Sequence, residues 1–339
     1  MSNEISPLIK EKAPLILAEI KKAKTILLHC HPSPDPDSVG SALATKFALE
    51  QLGKKVMVIR GDSEIPQAFM HFPGADSILE KNFLEIDLAE FDLFISLDTA
   101  DFKRVSSRGE VKFPAELFVI DIDHHPTNPS YGSINLVEFS YPATCQILFD
   151  LFTLWGVKLN TEIASNLFIG IYTDTGGFKY LGVTTKTFET VTQLSKFIPN
   201  ISELITRMEN SNTPTILRFE AIALNSIQVS DSGKFALASV SRKTLEENNI
   251  PTSDIRASEI CAFMLTVTDW EITASAVEFE PNKVKYSFRS KDMKKHDVSI
   301  IASTFGGGGH KMAAGVTIEM PFEKSKEAVL SKVKELYKI

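Results

Sequence analysis

The chain has 339 residues, a length typical of about two domains. Hydrophobic residues make up 43% of it and charged residues 23%, as in ordinary globular proteins, which excludes a disordered, collagen-like or low-complexity chain. The net charge of −7 disfavours a generic basic protein that coats nucleic acid, but it leaves small nucleotide ligands open.

The cysteines and the N-terminal segment give expectations about location. Cys30, Cys145 and Cys261 are widely spaced, so they predict neither a disulfide framework nor a zinc-binding pair. A reducing, cytoplasmic setting is therefore expected. Residues 1–24 are charged and lack an apolar signal segment, and no apolar run reaches the roughly 18 residues that cross a membrane, so no membrane association is expected.

In the first half of the chain, short apolar runs alternate with segments of helical periodicity. Strands are predicted at 25–30, 55–60, 92–97 and 117–122, and helices at 38–52, 143–155 and 162–172. Asp37 or Ser38 is the expected N-cap of the first of these helices. Strands separated by helices predict a mostly parallel sheet, and ligands bind such sheets at the carboxyl ends of the strands.

The pattern changes after about residue 185. Residues 186–217 are largely helical, with breaks at Pro199 and Pro214, and predict a connector. Beyond it, strands are predicted at 234–241, 270–279, 284–288 and 314–318, with a helix that Asp297 caps and a last helix that begins at Pro321. The predicted organisation is an N-terminal α/β domain over 1–185, a helical connector over 186–217 and a smaller α+β domain over 218–339.

The loop after the first predicted strand contains three candidate metal ligands, His31, Asp35 and Asp37. Prolines between them restrict the backbone, and in an extended segment the two aspartates point the same way. Two carboxylates held this close repel each other, and a divalent cation removes the repulsion. A polar turn that caps the following helix accounts for the same residues, and this alternative stays open.

A pair of adjacent histidines, His124 and His125, follows the predicted strand that ends near residue 122. Adjacent histidines are unusual in a chain that has seven in all. A histidine that binds metal usually has its other ring nitrogen fixed by a carboxylate, and Asp121 or Asp123 could do this. The pair is therefore a candidate for metal binding and catalysis.

Single aspartates end two further apolar elements. Asp98 follows a predicted strand, where a simple turn is the alternative, and Asp174 ends a near-continuous apolar helix, where an unpaired carboxylate is costly. The loops together offer six candidate ligands: His31, Asp35, Asp37, Asp98, His124 and Asp174. Carboxylates and imidazoles without thiolate suit Mn²⁺ or a similar ion. Six ligands are too many for one catalytic ion with open positions, so two ions that share one aspartate are predicted.

A glycine run at 306–309 precedes His310. Consecutive glycines let backbone N–H groups approach an anion closely, so a phosphate contact is predicted here, with a flexible loop as the alternative. The run follows a helix and leads to a strand, which argues against a dinucleotide-binding turn. The basic segment 283–295 adds Arg289 and Ser290 as candidate anion contacts, although a solvated hairpin has the same charge pattern.

In their order along the chain, these motifs resemble the DHH phosphoesterase superfamily with its DHH-associated C-terminal domain. The resemblance rests on the HxxPDxDSxGS pattern from His31, on Asp98, on the Asp123-His124-His125 triplet, on Asp174-Thr-Gly, and on Arg289-Ser290 with the Gly-Gly-Gly-Gly-His run and Ala-Ala-Gly. It covers about residues 25–318. Length and domain pairing are most similar to the nanoRNase/pAp-phosphatase group of that superfamily.

The resemblance implies roles for these residues. One metal ion would be bound by His31 and Asp35, the second by Asp37, His124 and Asp174, and Asp98 would bridge the two. His125 would face the scissile phosphate as a stabiliser or proton donor, so the catalytic set is His125, Asp98 and Asp123. The far part of the substrate would be held by Arg289, Ser290, Gly307, Gly308, Gly309 and His310. The sequence departs from the family pattern at Lys179, where an arginine is expected, and at Met312, where many relatives have a small or polar residue.

The predicted function is a two-metal phosphoesterase in which an activated hydroxide attacks the phosphorus of short oligoribonucleotides. Mn²⁺ is the expected metal, with Mg²⁺ or Co²⁺ as alternatives. The alternative activities are a phosphatase of 3′-phosphoadenosine-5′-phosphate and a phosphodiesterase of cyclic or linear dinucleotides. A nucleotide-binding sensor without turnover is the alternative of another class, and the complete ligand set disfavours it. Short RNA or a small nucleotide is the expected partner, not a long duplex or a membrane, and a homodimer stays open.

Overall fold

A computed structural model describes residues 4–100, 105–106, 108–109, 111–180, 182–210 and 212–339. The chain forms two compact units, Met1–Ser211 and Asn212–Ile339. The stretch predicted as a connector, 186–217, is divided between these units. The three-part organisation with boundaries at 185 and 217 stays a prediction.

The first unit is a parallel sheet with helices. Its helices are α1 Pro7–Lys22, α2 Pro36–Gln51, α3 Thr144–Trp155, α4 Thr161–Asp174, α5 Thr185–Ser195 and α6 Ile201–Glu209. Its strands are β1 Thr25–His29, β2 Lys55–Ile59, β3 Leu93–Leu97, β4 Phe118–Asp123 and β5 Ile134–Val137. They lie in the order β2-β1-β3-β4-β5, and all neighbours are parallel. The predicted parallel sheet is therefore confirmed.

Both faces of this sheet are covered, which explains why nearly every residue of β1 and β3 is buried. Helices α1 to α4 cover one face, and a cluster around Phe83, Phe94 and Val119 fills the other. Helices α2 and α4 approach closely at Gly40, because a Cβ there would lie 2.5 Å from the carbonyl oxygen of Asn166. This close packing brings the N-terminal end of α2 near α4.

The second unit is a mixed sheet. Its helices are α7 Pro214–Asn225, α8 Arg242–Glu247, α9 Ala257–Met264, α10 Val298–Thr304 and α11 Phe322–Tyr337, and its strands are β6 Gln228–Val229, β7 Phe235–Val240, β8 Ile272–Glu280, β9 Lys283–Ser290, β10 Gly308–His310 and β11 Ala313–Glu319. The strand order is β10-β11-β9-β8-β7-β6, with only β7 and β8 parallel. This confirms the predicted smaller α+β region. Over the described residues, no helix is both long and apolar enough to cross a membrane.

Several local features differ from the predictions. Helix α1 lies in the N-terminal segment, where its buried residues Ile9, Ala13, Ile16 and Ile20 repeat at helical spacing. Strand β5 was also not predicted, because only four residues form it and they are mostly half-buried. Asp35 is the N-cap of α2, in place of Asp37 or Ser38, and Pro321 is the N-cap of α11 rather than its first residue. The end of the glycine run forms the edge strand β10.

Candidate metal centre

The candidate ligands of the first unit meet at the carboxyl edge of the parallel sheet. His31 follows β1, Asp98 follows β3, and His124 follows β4. Helices complete the site, since α2 begins beside Asp35 and α4 ends at Asp174. Because parallel strands all end at one edge, residues that lie far apart in the sequence come together there.

One group of possible ligands consists of His31, Asp35 and Asp98, whose ligand atoms lie within 4.8 Å of one another. Nε2 of His31 is 3.6 Å from Oδ2 of Asp35 and 3.5 Å from Oδ2 of Asp98. The other ring nitrogen, Nδ1, is 3.0 Å from the carbonyl oxygen of Pro32. A carbonyl at this position places the proton on Nδ1 and directs Nε2 towards the carboxylates, as in many metal-binding histidines.

A second group consists of Asp37, His124 and Asp174, also within 4.8 Å. Nε2 of His124 is 3.1 Å from Oδ2 of Asp174 and 3.5 Å from Oδ1 of Asp98. Asp37 is fully buried in the first turn of α2. A Cβ at residue 170 would lie 2.5 Å from Oδ1 of Asp37, so only glycine lets α4 pass this close to the site.

Asp98 lies between the two groups. Its Oδ2 faces His31 and its Oδ1 faces His124, each at 3.5 Å. The side chain is almost fully buried, at 2% exposure. This is the arrangement that a carboxylate shared by two ions requires.

Asp123 organises the histidine pair and is a poor candidate for a ligand. It could be grouped with Asp98, His124 and His125 by distance alone. However, its Oδ1 accepts from the N–H groups of His124 and His125 at 2.7 and 3.2 Å and from Nδ1 of His125 at 2.7 Å. Its Oδ2 accepts from Nδ2 of Asn128 at 2.8 Å. With its oxygens so occupied, Asp123 fixes the loop and the ring of His125 rather than a metal.

The pKa values reflect the crowding of like charges. Burial, together with the charges of Asp98 and Asp174, raises the pKa of Asp37 well above its ordinary value. Burial raises the pKa of Asp174 to about 6, although its contact with His124 lowers it. Burial alone would lower the pKa of His124, but Asp174, Asp98 and Asp37 raise it to about 10. The protein therefore concentrates negative charge that only bound protons or cations can balance.

These residues fit a pair of divalent ions. The donors are carboxylate oxygens and imidazole nitrogens, which suit Mn²⁺ and related ions. Nε2 of His124 is buried and has no hydrogen-bond partner within the described structure, although it faces two carboxylates. An ion between these groups would satisfy that nitrogen and remove the repulsion between the aspartates.

The predicted substrate contacts lie in the second unit. Arg289 is half-buried on β9, and its Nη1 donates to the carbonyl oxygen of Phe288 at 3.0 Å. Ser290 is completely buried, and its hydroxyl donates to the carbonyl oxygen of Asp292, which disfavours a direct anion contact. His310 is exposed on the edge strand β10.

The glycine run differs from position to position. At Gly307 a Cβ would lie 2.3 Å from the carbonyl oxygen of Gly315, and Gly309 has a φ of 138°, so both positions need glycine for the fold. Gly308 has open space around it. Of the two departures from the family pattern, Lys179 is exposed after α4, and the carbonyl of Met312 accepts from the N–H of Ser290.

Sequence reasoning missed several residues that support the site. Thr144 and Cys145 donate to Asp37, and Asn128 holds Asp123. Gly170 supplies the space beside Asp37. Their residue types are ordinary for a helix start, a loop and a helix, so the sequence carried no signal for them.

Comparison with known proteins agrees with this geometry. The N-terminal domain of the DHH family matches residues 25–171, and the DHHA1 domain matches residues 233–338. The bifunctional oligoribonuclease and PAP phosphatase NrnA of Thermus thermophilus is 30% identical over 336 residues, which cover 98% of this chain and 97% of that protein. This chain belongs to the DHH family. The resemblance inferred from the motifs is thereby confirmed, and the protein is a phosphoesterase-type hydrolase.

Further relatives agree in sequence and in fold. The protein of the same name from Bacillus subtilis is 26% identical over 307 residues, covering 89% of this chain and 92% of that protein. An exopolyphosphatase-related protein from Bacteroides fragilis has the same fold, with a TM-score of 0.86 at 22% identity over 97% of this chain and 98% of that one. RecJ of Thermus thermophilus, solved with Mn²⁺, shares the fold with a TM-score of 0.56 and 14% identity, covering 98% of this chain and 56% of RecJ.

Proposed function

We propose that this DHH-family protein hydrolyses the phosphoester bonds of short oligoribonucleotides in the cytoplasm, with two divalent ions, preferably Mn²⁺. The observation that carries the proposal is the pair of ligand groups, His31-Asp35 and Asp37-His124-Asp174, joined through Asp98. When bound, such a pair of ions would lower the pKa of a bound water molecule to about 7 and would stabilise the attacking and leaving oxygens of an in-line displacement.

The residues of the chain then have separate tasks. Asp98 contributes one oxygen to each ligand group, and Asp123 orients the ring of His125 through a contact of 2.7 Å with Nδ1. In the metal-free protein, burial alone would lower the pKa of His125, but the hydrogen bond with Asp123 and the charge of Asp98 raise it. A positively charged His125 stabilises a phosphate and can give a proton to a leaving oxygen. Arg289 and the glycine run would bind the remaining phosphates of the substrate.

The relatives favour a second activity on the same site. Those from Thermus thermophilus and Bacillus subtilis are named both as oligoribonuclease and as PAP phosphatase. In both reactions water attacks a phosphorus atom and one P–O ester bond breaks, with the alcohol as leaving group, so one metal centre can serve both. We therefore propose removal of a phosphate from 3′-phosphoadenosine-5′-phosphate as the second activity.

One substrate panel tests both activities. End-labelled di- to pentaribonucleotides, 3′-phosphoadenosine-5′-phosphate and linear dinucleotides are assayed side by side with Mn²⁺ and Mg²⁺. The Asp174→Ala variant, prepared in the same way, measures contaminating activity. We expect turnover that needs metal and that falls to the background of the variant. Equal trace activity in both proteins would contradict the proposal.

A further inference from the structure

The N-terminal end of α3 has no capping side chain from its own segment. Ala143 is the N-cap and offers no acceptor, although the first N–H groups of a helix have no partner within it. Asp37 supplies the acceptors from another part of the chain. Its Oδ2 accepts from the N–H of Thr144 at 2.7 Å, and its Oδ1 accepts from the N–H of Cys145 at 3.0 Å. The helix end therefore orients both oxygens of this carboxylate.

The side chain of Thr144 contacts a different carboxylate. Its hydroxyl donates to Oδ1 of Asp98 at 3.1 Å, and both residues are buried. The same oxygen faces Nε2 of His124 at 3.5 Å, while Oδ2 faces His31. Because a carboxylate oxygen has about two acceptor sites, the hydroxyl occupies one and leaves the other for an ion.

Asp98 needs such a contact because its side-chain torsion is intrinsically broad. Its backbone is held in the left-handed region with a φ of 55°, and its N–H donates to the carbonyl oxygen of Ile122 at 3.0 Å. These restraints fix the Cα but not the plane of the carboxylate. The hydroxyl of Thr144 restrains that plane, which decides whether both oxygens face their ligand groups.

We propose that Thr144 is a positioning residue of the metal centre. It orients Asp37 through its main chain and Asp98 through its hydroxyl, and so controls the geometry of the second ion and of the bridge. The inference rests on the proposed function, which assigns both aspartates to metal. Outer contacts of this kind typically change metal affinity or activity by about 10- to 100-fold.

The test compares three substitutions in the full chain. Thr144→Val removes the hydroxyl and keeps the shape and the main-chain N–H, whereas Thr144→Ser keeps the hydroxyl. Thr45→Val is the matched control, because Thr45 is a buried threonine of α2 whose hydroxyl has no hydrogen-bond partner within the described structure. Mn²⁺ binding is measured by calorimetry and by the paramagnetic resonance of free Mn²⁺, together with kcat, KM and the melting temperature.

We expect Thr144→Val to bind Mn²⁺ about tenfold more weakly or worse and to lose kcat by about 10- to 100-fold, with KM nearly unchanged. Thr144→Ser should recover most of both losses, and Thr45→Val should match the wild type. Wild-type Mn²⁺ affinity in Thr144→Val would overturn the inference, and so would equal defects in the valine and serine variants. If the valine variant does not fold, Thr144→Ala replaces it.

The metal titration separates this inference from the proposed function. If the wild type binds Mn²⁺ but hydrolyses none of the substrates, the proposed function fails, while the comparison of Mn²⁺ affinities still decides the role of Thr144. If the wild type hydrolyses RNA and Thr144→Val is indistinguishable from it in Mn²⁺ affinity and kcat, only the inference about Thr144 fails.

Discussion

The two units place their polar residues in different ways, although each is built on one sheet. In the first unit all neighbouring strands are parallel, and the groups of possible metal ligands lie together at one edge. In the second unit most neighbours are antiparallel, and the described residues contain no such group. A parallel sheet gathers all carboxyl ends at one edge and so concentrates charge there. In an antiparallel sheet, neighbouring strands end at opposite edges, and the polar residues lie on the face that is exposed to solvent.

This difference predicts that the two units have different functions, which experiments can test. If the first unit performs the chemistry, changes there should lower metal affinity and kcat. If the second unit only binds substrate, changes there should raise KM and leave metal binding intact.

The largest effect is expected for Asp98→Asn, in the first unit. The amide keeps the size of the side chain but removes the negative charge and one of the two oxygens that face His31 and His124. We expect kcat to fall by about 10³-fold or more, which corresponds to the several kcal/mol that metal ions supply. Steady-state kinetics and Mn²⁺ calorimetry measure the loss. Asp76→Asn, which changes an exposed aspartate of the same unit, is the control. Activity near that of the control would contradict a bridging role.

The second prediction concerns protons. His31 and His124 have pKa values raised above the ordinary 6.5, against the effect of burial, by Asp35 and Asp98 around His31 and by Asp174 around His124. Both are therefore protonated at pH 7 in the metal-free protein, and a metal ion binds only neutral imidazole. We expect loading with Mn²⁺ at pH 7 to release protons from these histidines and from Asp37, whose pKa is also raised, and affinity to rise steeply with pH. Calorimetry in buffers of different ionisation enthalpy counts the protons.

The same pKa values determine how the metal-free protein responds to pH. For His124 the folded pKa of about 10 exceeds the unfolded value of 6.5. Its contribution to stability is therefore complete below pH 6.5 and is lost as the pH rises towards 10. We expect the melting temperature of the wild type in chelator to fall as the pH rises over this window, and the melting temperature of His124→Gln to fall less.

The calorimetric titration has its own contradicting outcome. A heat of Mn²⁺ binding that does not depend on the buffer would argue against protonated histidines in the metal-free protein.

Most strands of the first unit could be predicted from the sequence. The predicted β1, β3 and β4 are confirmed because short apolar runs that end in polar residues are typical of buried parallel strands. The topology then accounts for the meeting of Asp98 and His124, because parallel strands end at one edge. The assignment of these residues to metal stays a prediction.

Features that depend on tertiary contacts could not be predicted. Ala143 gives no sign that α3 is capped by Asp37, more than a hundred residues earlier in the chain. The buried apolar residues of α1 repeat at helical spacing, but the many charged residues between them made this pattern hard to recognise in the sequence. The composition of the glycine run predicts a loop, whereas pairing with β11 makes its end a strand. In each case a partner distant in sequence decides the structure.

The third prediction tests the second unit. Arg289 lies on the same strand as Lys285, at alternating positions of β9, so the two cations share one face of the sheet. A charge-assisted hydrogen bond to phosphate is worth about 1.5–3 kcal/mol, so Arg289→Gln should raise KM about tenfold or more. Affinity for Mn²⁺ and kcat should stay at the wild-type level. Lys285→Gln is the matched control. An equal rise of KM in both variants would indicate general attraction by charge in place of a specific contact.

The smallest effect is expected at Gly308, and it separates the two explanations of the glycine run. Gly308 has open space around it, whereas at Gly309 a Cβ would lie 2.6 Å from the carbonyl oxygen of Ala313 and φ is 138°. Gly309→Ala should therefore lower the melting temperature, and Gly308→Ala should leave it unchanged. If the exposed backbone of β10 receives a phosphate, Gly308→Ala should raise KM by a few-fold, because the added methyl group keeps the anion from the N–H groups. An unchanged KM would mean that this glycine run serves only the fold and that Arg289 binds the phosphate without it.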